Sequence, residues 1–245
     1  MKINIVTLFP KMFEGFISES IISRCIDREL LSIKIINLRD YCYDKHKQAD
    51  DIPFGGGHGM VLKPEPLFRA LKNIGGKKIF VSPQGKIFDQ KMAVEIANLD
   101  EITIVAGHYE GIDQRVIDEF IDLEISIGDY VLTGGELPAM VIVDAVARMI
   151  PGAIKKESYE NDSFFNGLLD YPQYTRPSIY DGKSVPEILL SGHHKNIEKW
   201  RKEQSIRNTY IKRRDLLEKK ELTEEEKKIL NKIIKDIESE HENEK

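Results

Sequence analysis

Cysteine, tryptophan and long apolar runs are scarce in this chain, and each scarcity excludes a class of protein. The 245 residues include two cysteines and one tryptophan. Cys25 and Cys42 have neither CxxC spacing nor a histidine cluster beside them, so we expect no disulfide framework and no zinc site. No stretch approaches the roughly 20 consecutive apolar residues of a membrane span, and the apolar run before Pro10 is too short for a signal peptide. We therefore expect a cytoplasmic protein without a membrane partner.

The rest of the composition is that of an ordinary globular protein. Hydrophobic residues make up 41% of the chain and charged residues 31%, while 17 glycines and 10 prolines exclude collagen-like and low-complexity sequence. The length suits one large domain or two smaller ones. A net charge of −5 argues against a wholly basic nucleic-acid coat but leaves room for local basic patches.

Short apolar runs alternate with helical segments in the first half of the chain. Strands are predicted over residues 3–8, 31–37, 78–81, 102–106 and 123–127. Helices are predicted over residues 89–98 and 138–149, and a helix-like segment of about twenty residues separates the first two strands. Because alternating strands and helices are typical of a parallel sheet, the predicted fold class is α/β.

The composition of the sequence changes after Pro151. Residues 155–172 are polar, contain proline and glycine, and lack sustained periodicity, which predicts an interdomain linker with mobile parts. Residues 173–245 then form a small all-helical domain in this prediction. Thr223 and Glu226 have the spacing of a helix capping box. An apolar stripe follows at helical spacing, formed by Ile229, Leu230, Ile233, Ile234 and Ile237.

Three glycine-containing segments follow predicted strands, at residues 82–85, 107–111 and 127–136. Ligands of parallel α/β sheets bind outside the carboxyl ends of the strands, where glycine lets the backbone approach them closely. The three segments together therefore predict one shared ligand pocket, although any one of them alone is more simply read as a tight turn. Neither a GxxxxGK phosphate loop nor a GxGxxG dinucleotide motif is present at the expected places, which argues against those two nucleotide-binding classes.

A separate glycine cluster lies in a long polar loop at residues 50–60. So many glycines in a short loop favour either a backbone that follows the surface of a bound ligand or a flexible lid. The alternative is a mobile loop without a function. His58 in this loop has the chemistry of a general base, but a single loop histidine is more often only solvated.

A basic segment extends from Lys195 to Arg214. It carries eight basic residues against two acidic ones, a net charge of +6, with Trp200 and Tyr210 interleaved. This pattern suits a phosphate backbone with stacked bases, and its alternative is a solvated helix face.

Three charged residues outside these segments are candidates for chemistry. Asp144 and Arg148 are four residues apart on a predicted helix, the spacing of an ordinary ion pair. Asp162 lies between Asn161 and Ser163 in the predicted linker, where a carboxylate could act as a general base or simply form a turn.

Seven motifs occur in one order along the chain: LFP (8–10), DIPFGGG (51–57), SPQG (82–85), GHYEGID (107–113), SIGDYVL (126–132), GGELPA (134–139) and YTRP (174–177). With these motifs the sequence closely resembles the bacterial tRNA (guanine-N1)-methyltransferases, the TrmD family of the SPOUT class. The resemblance runs from the first strand to the basic segment. It implies transfer of a methyl group from S-adenosyl-L-methionine to N1 of guanosine at tRNA position 37, in tRNAs with guanosine at positions 36 and 37.

The resemblance also implies an architecture. Residues 1–154 would form a SPOUT domain that binds the cofactor in a deep trefoil knot, an exception to the rule that chains avoid knots. Residues 155–172 would be the linker and residues 173–245 the tRNA-binding domain. The protein would be a homodimer with active sites at the subunit interface.

Site residues are carried over position by position. The cofactor would be bound by Ser82, Pro83, Gln84, Gly107, Tyr109, Glu110, Gly111, Ile127, Gly128, Asp129, Tyr130, Val131, Leu132, Gly134, Gly135 and Pro138. The tRNA would be contacted by Asp51, Gly55, Gly56, Gly57, His58, Arg176, Lys199, Arg201 and Lys202.

The resemblance assigns the chemistry to two residues. Asp162, reaching in from the partner subunit, would be the general base that removes the guanine N1 proton. Arg148 would stabilise the charge that grows on guanine O6. Glu110, Asp162 and Asp170 match positions linked to Mg²⁺, although an all-protein magnesium site would be unusual. The alternatives are a SPOUT methyltransferase acting on another RNA position and a non-catalytic RNA-binding module.

Overall fold

The chain folds as two units, Met1–Lys156 and Glu157–Lys245, each with its own hydrophobic core. This organisation is taken from a computed structural model that describes residues 1–155, 159 and 162–243. The first unit contains a five-stranded sheet with helices on both faces. The described part of the second unit consists mainly of helices.

The central sheet contains β1 (Lys2–Thr7), β2 (Ser32–Asn37), β5 (Lys77–Ile87), β6 (Glu101–Ala106) and β7 (Leu123–Ser126). Its strand order is β2-β1-β6-β5-β7, and every neighbouring pair is parallel. Five consecutive residues are buried in both β1 and β6, as expected for strands covered on two faces. The α/β prediction and the five predicted strands are confirmed.

Six helices cover the sheet: α1 (Glu14–Ser18), α2 (Ser20–Asp27), α3 (Pro64–Lys72), α4 (Gln90–Ala97), α5 (Gln114–Phe120) and α6 (Glu136–Met149). Buried residues of α2, α4 and α6 pack in one cluster against the sheet, and those of α3 and α5 pack in another. The two predicted helices correspond to α4 and α6.

Two details of the first unit differ from the sequence predictions. The single helix expected after β1 is a short 3-10 turn, Pro10–Phe13, followed by α1 and α2, because extended backbone at Glu19 (ψ 159°) interrupts the helix. The predicted loop at residues 82–85 is a bulge within β5, whose pairing with β7 resumes at Lys86. Gly85 lies against the backbone of Glu124 and Ile125 there, so it has no space for a side chain.

The described part of the second unit contains α7 (Glu187–Leu190), α8 (His194–Lys212), α9 (Arg214–Lys219), α10 (Glu224–Asn243) and a small hairpin of β8 (Ile179–Tyr180) and β9 (Lys183–Ser184). The capping box is confirmed at the start of α10: Thr223 N donates to Glu226 Oε2 at 2.8 Å, and Glu226 N donates to Thr223 Oγ1 at 3.2 Å. Ile206 and Ile233 form the buried core with Leu168.

The part of the predicted linker near residue 168 is packed rather than free. The buried side chain of Leu168 belongs to the core of the second unit, and Leu169 N donates to Thr209 Oγ1 on α8 at 2.9 Å. Asn208 Nδ2 donates to the Asp170 carbonyl oxygen at 2.9 Å. Residues 156–158 and 160–161 of that predicted linker lie outside the described residues.

Among the residues that the structure describes, every helix is too short or too polar to span a membrane.

Candidate cofactor pocket and nucleic-acid-binding residues

The three glycine-containing segments meet around one cavity of about 420 Å³. The cavity lies beyond the carboxyl ends of β6 and β7 and beyond the end of the first half of β5. This is the edge of a parallel sheet at which ligands bind. Fifteen of the sixteen predicted cofactor residues line it: Ser82, Pro83, Gln84, Gly107, Tyr109, Glu110, Gly111, Ile127, Gly128, Tyr130, Val131, Leu132, Gly134, Gly135 and Pro138. Asp129 is exposed and is not among the lining residues.

Further residues that were not among the predicted cofactor contacts complete the wall. They are Phe80, Val81, His108, Ile112, Gln114, Ile117, Glu124, Ile125 and Ser126. Several of them follow or belong to the three strands, so the strand predictions could have suggested them. Gln114 and Ile117 lie on α5, a helix that was not predicted, and no signal pointed to them.

Two glycines allow the second and third segments to touch. Gly135 N donates to the Gly107 carbonyl oxygen at 2.6 Å. A Cβ on Gly135 would lie 2.6 Å from Val81 Cγ2 and 2.9 Å from both Ala106 Cα and Gly107 N. Because two of these contacts are with backbone, a larger residue would push the segments apart. The glycines in this part of the pocket are therefore required for close packing.

A buried carboxylate anchors the same region. Glu136, the first residue of α6, is only 1% exposed, and its Oε1 accepts a hydrogen bond from Thr7 Oγ1 at 2.8 Å. Glu136 Oε2 lies 3.6 Å from His108 Nδ1. Thr7 ends β1, so Glu136 connects the strand beside the pocket strands to the start of α6.

Asp113 begins α5 immediately after the second pocket segment. Its carboxylate accepts a hydrogen bond from Arg115 N at 3.0 Å and two from the Arg115 guanidinium at 2.8 and 2.7 Å. The hydrogen bonds from the Arg115 side chain hold the pKa of Asp113 below its ordinary value. Asp113 N also donates to the Leu62 carbonyl oxygen at 3.1 Å. Asp113 therefore fixes the chain at the exit of the pocket.

The glycine cluster at residues 50–60 is the tip of a hairpin rather than a simple loop. Its strands are β3 (Asp50–Asp51) and β4 (Val61–Leu62), which pair antiparallel. Asp51 belongs to β3, while the predicted tRNA contacts Gly55, Gly56, Gly57 and His58 are exposed beyond it. The three glycines all have positive φ, a conformation that other residues rarely adopt.

This hairpin is joined to the second pocket segment. Glu110 N donates to the Met60 carbonyl oxygen at 3.0 Å, and Leu62 N donates to the Gly111 carbonyl oxygen at 3.0 Å. Gly59 lies against the Glu110 side chain, and a Cβ at Gly59 would collide with it. Any ligand that contacts the hairpin base is therefore close to the cofactor cavity.

The two predicted catalytic residues lie in different units. Arg148 is half-buried near the end of α6, one turn after the exposed Asp144. Asp162 lines a second cavity, of about 410 Å³, which is built from residues of the second unit. Asp170, Arg201 and Lys202 line the same cavity.

The predicted RNA contacts of the second unit differ in their surroundings. Lys199 and Arg176 are exposed. The guanidinium of Arg201 lies 4.9 Å from the centre of the Tyr171 ring, a cation–π arrangement. Lys202 Nζ lies 3.6 Å from Glu225 and 3.9 Å from Glu226 on α10, so part of its charge is neutralised within the unit.

The proposed magnesium ligands do not form a metal centre in the described part of the chain. No group of three or more His, Cys, Asp or Glu side chains is placed there to hold an ion. Asp170 is instead engaged locally, since its carboxylate accepts hydrogen bonds from Tyr171 N at 2.7 Å and Gln173 Nε2 at 3.1 Å. Glu110 belongs to the first unit, whereas Asp162 and Asp170 line the second cavity, so the three predicted ligands are divided between the two units.

Comparisons with known proteins identify the family to which the chain belongs. A family model described as tRNA (Guanine-1)-methyltransferase TrmD matches residues 1–219. A tRNA (guanine-N(1)-)-methyltransferase of Fusobacterium nucleatum subsp. nucleatum is 62% identical over 236 residues, which cover 96% of this chain and 99% of that protein. The same activity is named for a Clostridium botulinum protein that is 53% identical over 242 residues, or 97% and 100% of the two chains. A Staphylococcus carnosus protein of that name is 50% identical over 242 residues, or 97% and 99%. The chain therefore belongs to the TrmD family of tRNA (guanine-1)-methyltransferases.

Proposed function

We propose that this chain transfers the methyl group of S-adenosyl-L-methionine to N1 of guanosine 37 in tRNAs with guanosine at positions 36 and 37. The observation that carries this proposal is the single cavity into which all three glycine-containing segments converge. A family of tRNA (guanine-1)-methyltransferases requires a methyl-donor site, and this cavity lies at the sheet edge where such ligands bind.

The cavity fits an adenosyl ligand in size and chemistry. Its volume of about 420 Å³ is within the range of roughly 300–1,000 Å³ for small-molecule sites. Ile127, Leu132 and Pro138 supply apolar surface, and the glycine segments bring backbone amides and carbonyls to the wall. S-adenosyl-L-methionine, when bound, supplies an electrophilic methyl group. The residues around it would bind and orient that group and exclude water from it.

Asp162 and Arg148 would carry out the proton and charge chemistry. Guanine N1 carries a proton at neutral pH and is a poor nucleophile until that proton is removed. In this proposal the Asp162 carboxylate accepts the N1 proton, and the Arg148 guanidinium stabilises the negative charge that develops on O6. Both residues are assigned through the resemblance to the family, and no step is assigned to Mg²⁺.

Two copies of the chain would share each active site. Support comes from α6, where Leu137 is 50% exposed and Val141 is exposed one turn later on the same helix. Val131, in the third pocket segment just before α6, is 84% exposed. Exposed apolar side chains so close together are typical of an interface. A homodimer would cover them and bring Asp162 of one chain to the pocket of the other.

The three pocket segments would form a deep trefoil knot. The contact of Gly135 with Val81, Ala106 and Gly107 supports this, because it places the third segment against the ends of β5 and β6. In this proposal, residues 1–154 bind the cofactor and residues 173–245 bind tRNA. Residues 155–172 connect the two domains and become ordered when tRNA binds. The basic residues of α8 and the glycine-rich hairpin would provide the tRNA contacts.

The test is transfer of labelled methyl from S-adenosyl-L-methionine to a tRNA transcript with guanosine at positions 36 and 37. A matched transcript with adenosine at position 37 is the control. Label on the first transcript alone supports the proposal. Label on both would move the target to another position, and tRNA binding without label on either would indicate a non-catalytic module.

A further inference from the structure

An unsatisfied buried nitrogen lies at the wall of the cofactor cavity. Among the described residues, His108 Nδ1 is the one buried side-chain nitrogen or oxygen that has no hydrogen-bond partner. It faces Glu136 Oε2 at 3.6 Å, just beyond the range of about 2.7–3.2 Å for a nitrogen–oxygen hydrogen bond. Native proteins leave few buried polar groups unsatisfied, so this gap calls for a physical explanation.

The surroundings hold both groups where they are. The other carboxylate oxygen of Glu136 accepts a hydrogen bond from Thr7 Oγ1, which in turn accepts one from Phe9 N at 2.9 Å. The His108 ring lies 4.8 Å from the ring of Phe9 and 4.8 Å from that of Tyr109, measured between centroids. The imidazole therefore packs against two aromatic rings while its Nδ1 faces Glu136.

A glycine makes the approach of these two side chains feasible. Gly134 pairs with His108 across the pocket segments, and a Cβ on Gly134 would collide with both His108 Nδ1 and Glu136 Oε2. Because His108 lines the cavity and Glu136 begins α6, the pair joins the second pocket segment to the end of the third. A ligand that draws these segments together would shorten the 3.6 Å gap.

We infer that His108 is a positioning residue for the methyl donor, and that its Nδ1–H donates a hydrogen bond to Glu136 when the donor fills the cavity. The inference rests on the proposed function, since it takes S-adenosyl-L-methionine as the ligand. The hydrogen bond completes a chain from Phe9 N through Thr7 and Glu136 to His108. Binding of the donor and closure of the gap then favour each other.

Two variants of the same shape isolate the hydrogen bond. His108→Leu and His108→Asn are both branched at Cγ and both lose the imidazole ring, but only asparagine retains a donor near the position of Nδ1. We expect His108→Leu to raise the dissociation constant of S-adenosyl-L-methionine about tenfold or more, as for loss of a hydrogen bond to a charged group. His108→Asn should stay within about threefold of the unaltered protein. The exposed Glu119→Gln serves as a control for handling and folding.

The partner is tested by a double-mutant cycle. Glu136→Leu, which removes the acceptor that glutamine would keep, should also weaken binding about tenfold or more, and combining it with His108→Leu should weaken binding by less than the product of the two single effects, because both changes remove the same hydrogen bond. Additive losses, or equal affinities of His108→Leu and His108→Asn, would overturn the inference.

A measurement on the unaltered protein does not depend on folding of the variants. With ¹⁵N-labelled histidine, long-range ¹⁵N–¹H spectra report which ring nitrogen carries a proton. In the presence of saturating S-adenosyl-L-methionine, His108 should carry a proton on Nδ1, and a proton on Nε2 alone would contradict the inference while leaving the proposed function intact. Absence of any binding by the unaltered protein would overturn both.

Discussion

Gly135→Ala tests how the pocket is built, because it adds one methyl group where the third pocket segment contacts the backbone of the second. The backbone of Gly135 has φ −82° and ψ −1°, which alanine adopts without strain. The destabilising part of the effect therefore comes from contacts and not from backbone strain. The added Cβ would lie 2.6 Å from Val81 Cγ2 and 2.9 Å from backbone atoms of Ala106 and Gly107.

The expected magnitude follows from these distances. Carbon atoms pack best at about 3.5–4.0 Å, so the neighbours have to move by roughly 0.6–1 Å. Overpacking of this kind costs about 1–3 kcal/mol, whereas replacing glycine by alanine at a compatible conformation recovers about 0.4–1 kcal/mol by restricting the unfolded chain. We expect a net loss of about 1–2 kcal/mol in the free energy of unfolding. For a chain of this length that corresponds to a melting temperature lower by about 2–8 °C.

Two assays separate stability from the pocket itself. Thermal unfolding followed by far-ultraviolet circular dichroism measures the first effect. Isothermal titration with S-adenosyl-L-methionine measures the effect on the pocket. A loss of about 1–2 kcal/mol in the free energy of binding corresponds to about five- to thirtyfold weaker binding. Trp200, the single tryptophan, lies on α8 in the other unit, so its unchanged emission would show that the second unit remains folded.

Gly15→Ala is the matched control. Gly135 precedes α6 as its N-cap residue, whereas Gly15 lies within α1, and a Cβ on Gly15 would meet nothing within 4 Å. This variant should be as stable as the unaltered protein or slightly more stable, because alanine favours helix over glycine by about 0.5–1 kcal/mol. If Gly135→Ala matches Gly15→Ala in both stability and cofactor affinity, the close contact of the two pocket segments is refuted.

Three further outcomes are expected. Asp162→Ala should lower methyl transfer by about 10²–10⁴-fold with cofactor affinity unchanged in titration, and a loss of affinity would show that the residue is not the base. Replacing Lys199 and Arg201 together by alanine should weaken tRNA binding and reduce the slope of log K against log[salt] by about 0.7–0.9 for each phosphate that the protein no longer neutralises, so an unchanged slope places the RNA elsewhere. Asp113→Ala should lose about 0.5–2 kcal/mol of stability, while Asp113→Asn should lose less because asparagine also caps helices. Arg115 lowers the pKa of Asp113 in the folded state, so the charge of Asp113 stabilises the protein above the unfolded-state pKa. This contribution fades as the pH falls through the folded-state pKa. An acid titration of stability should therefore show this part of the loss in the unaltered protein and not in Asp113→Asn.

The strands and the place of the pocket could be predicted because they depend on local sequence. A strand buried on both faces is a nearly continuous apolar run, such as residues 102–106 with Thr103 as the one polar member, and its end is marked by the glycine that follows. Once the strands are known to be parallel, the three segments after them must lie at one edge of the sheet. The cavity thus follows from strand pattern and glycine position.

Other features depend on contacts that no local pattern reveals. The bulge in β5 arises because Gly85 packs on the backbone of β7, a partner about forty residues away. The break between α1 and α2 depends on the extended backbone conformation of Glu19, which leaves the apolar spacing almost unchanged. Packing of Leu168 against α8 and α10 likewise needs the whole second unit. In each case tertiary contacts decide a conformation that the local sequence leaves open.

His108 and Glu136 show why the site was predicted less completely than the fold. A glutamate at the start of an apolar helix has an ordinary explanation, since negative charge is favourable at a helix N-terminus. Only the structure shows that Glu136 is buried, that Thr7 from β1 satisfies one oxygen, and that His108 faces the other. The three residues are separated by more than a hundred positions from first to last, so no motif spacing links them. Glycines are only five of the twenty-four residues that line the pocket, and the side chains that hold the glycine-containing segments together lie where long-range packing places them.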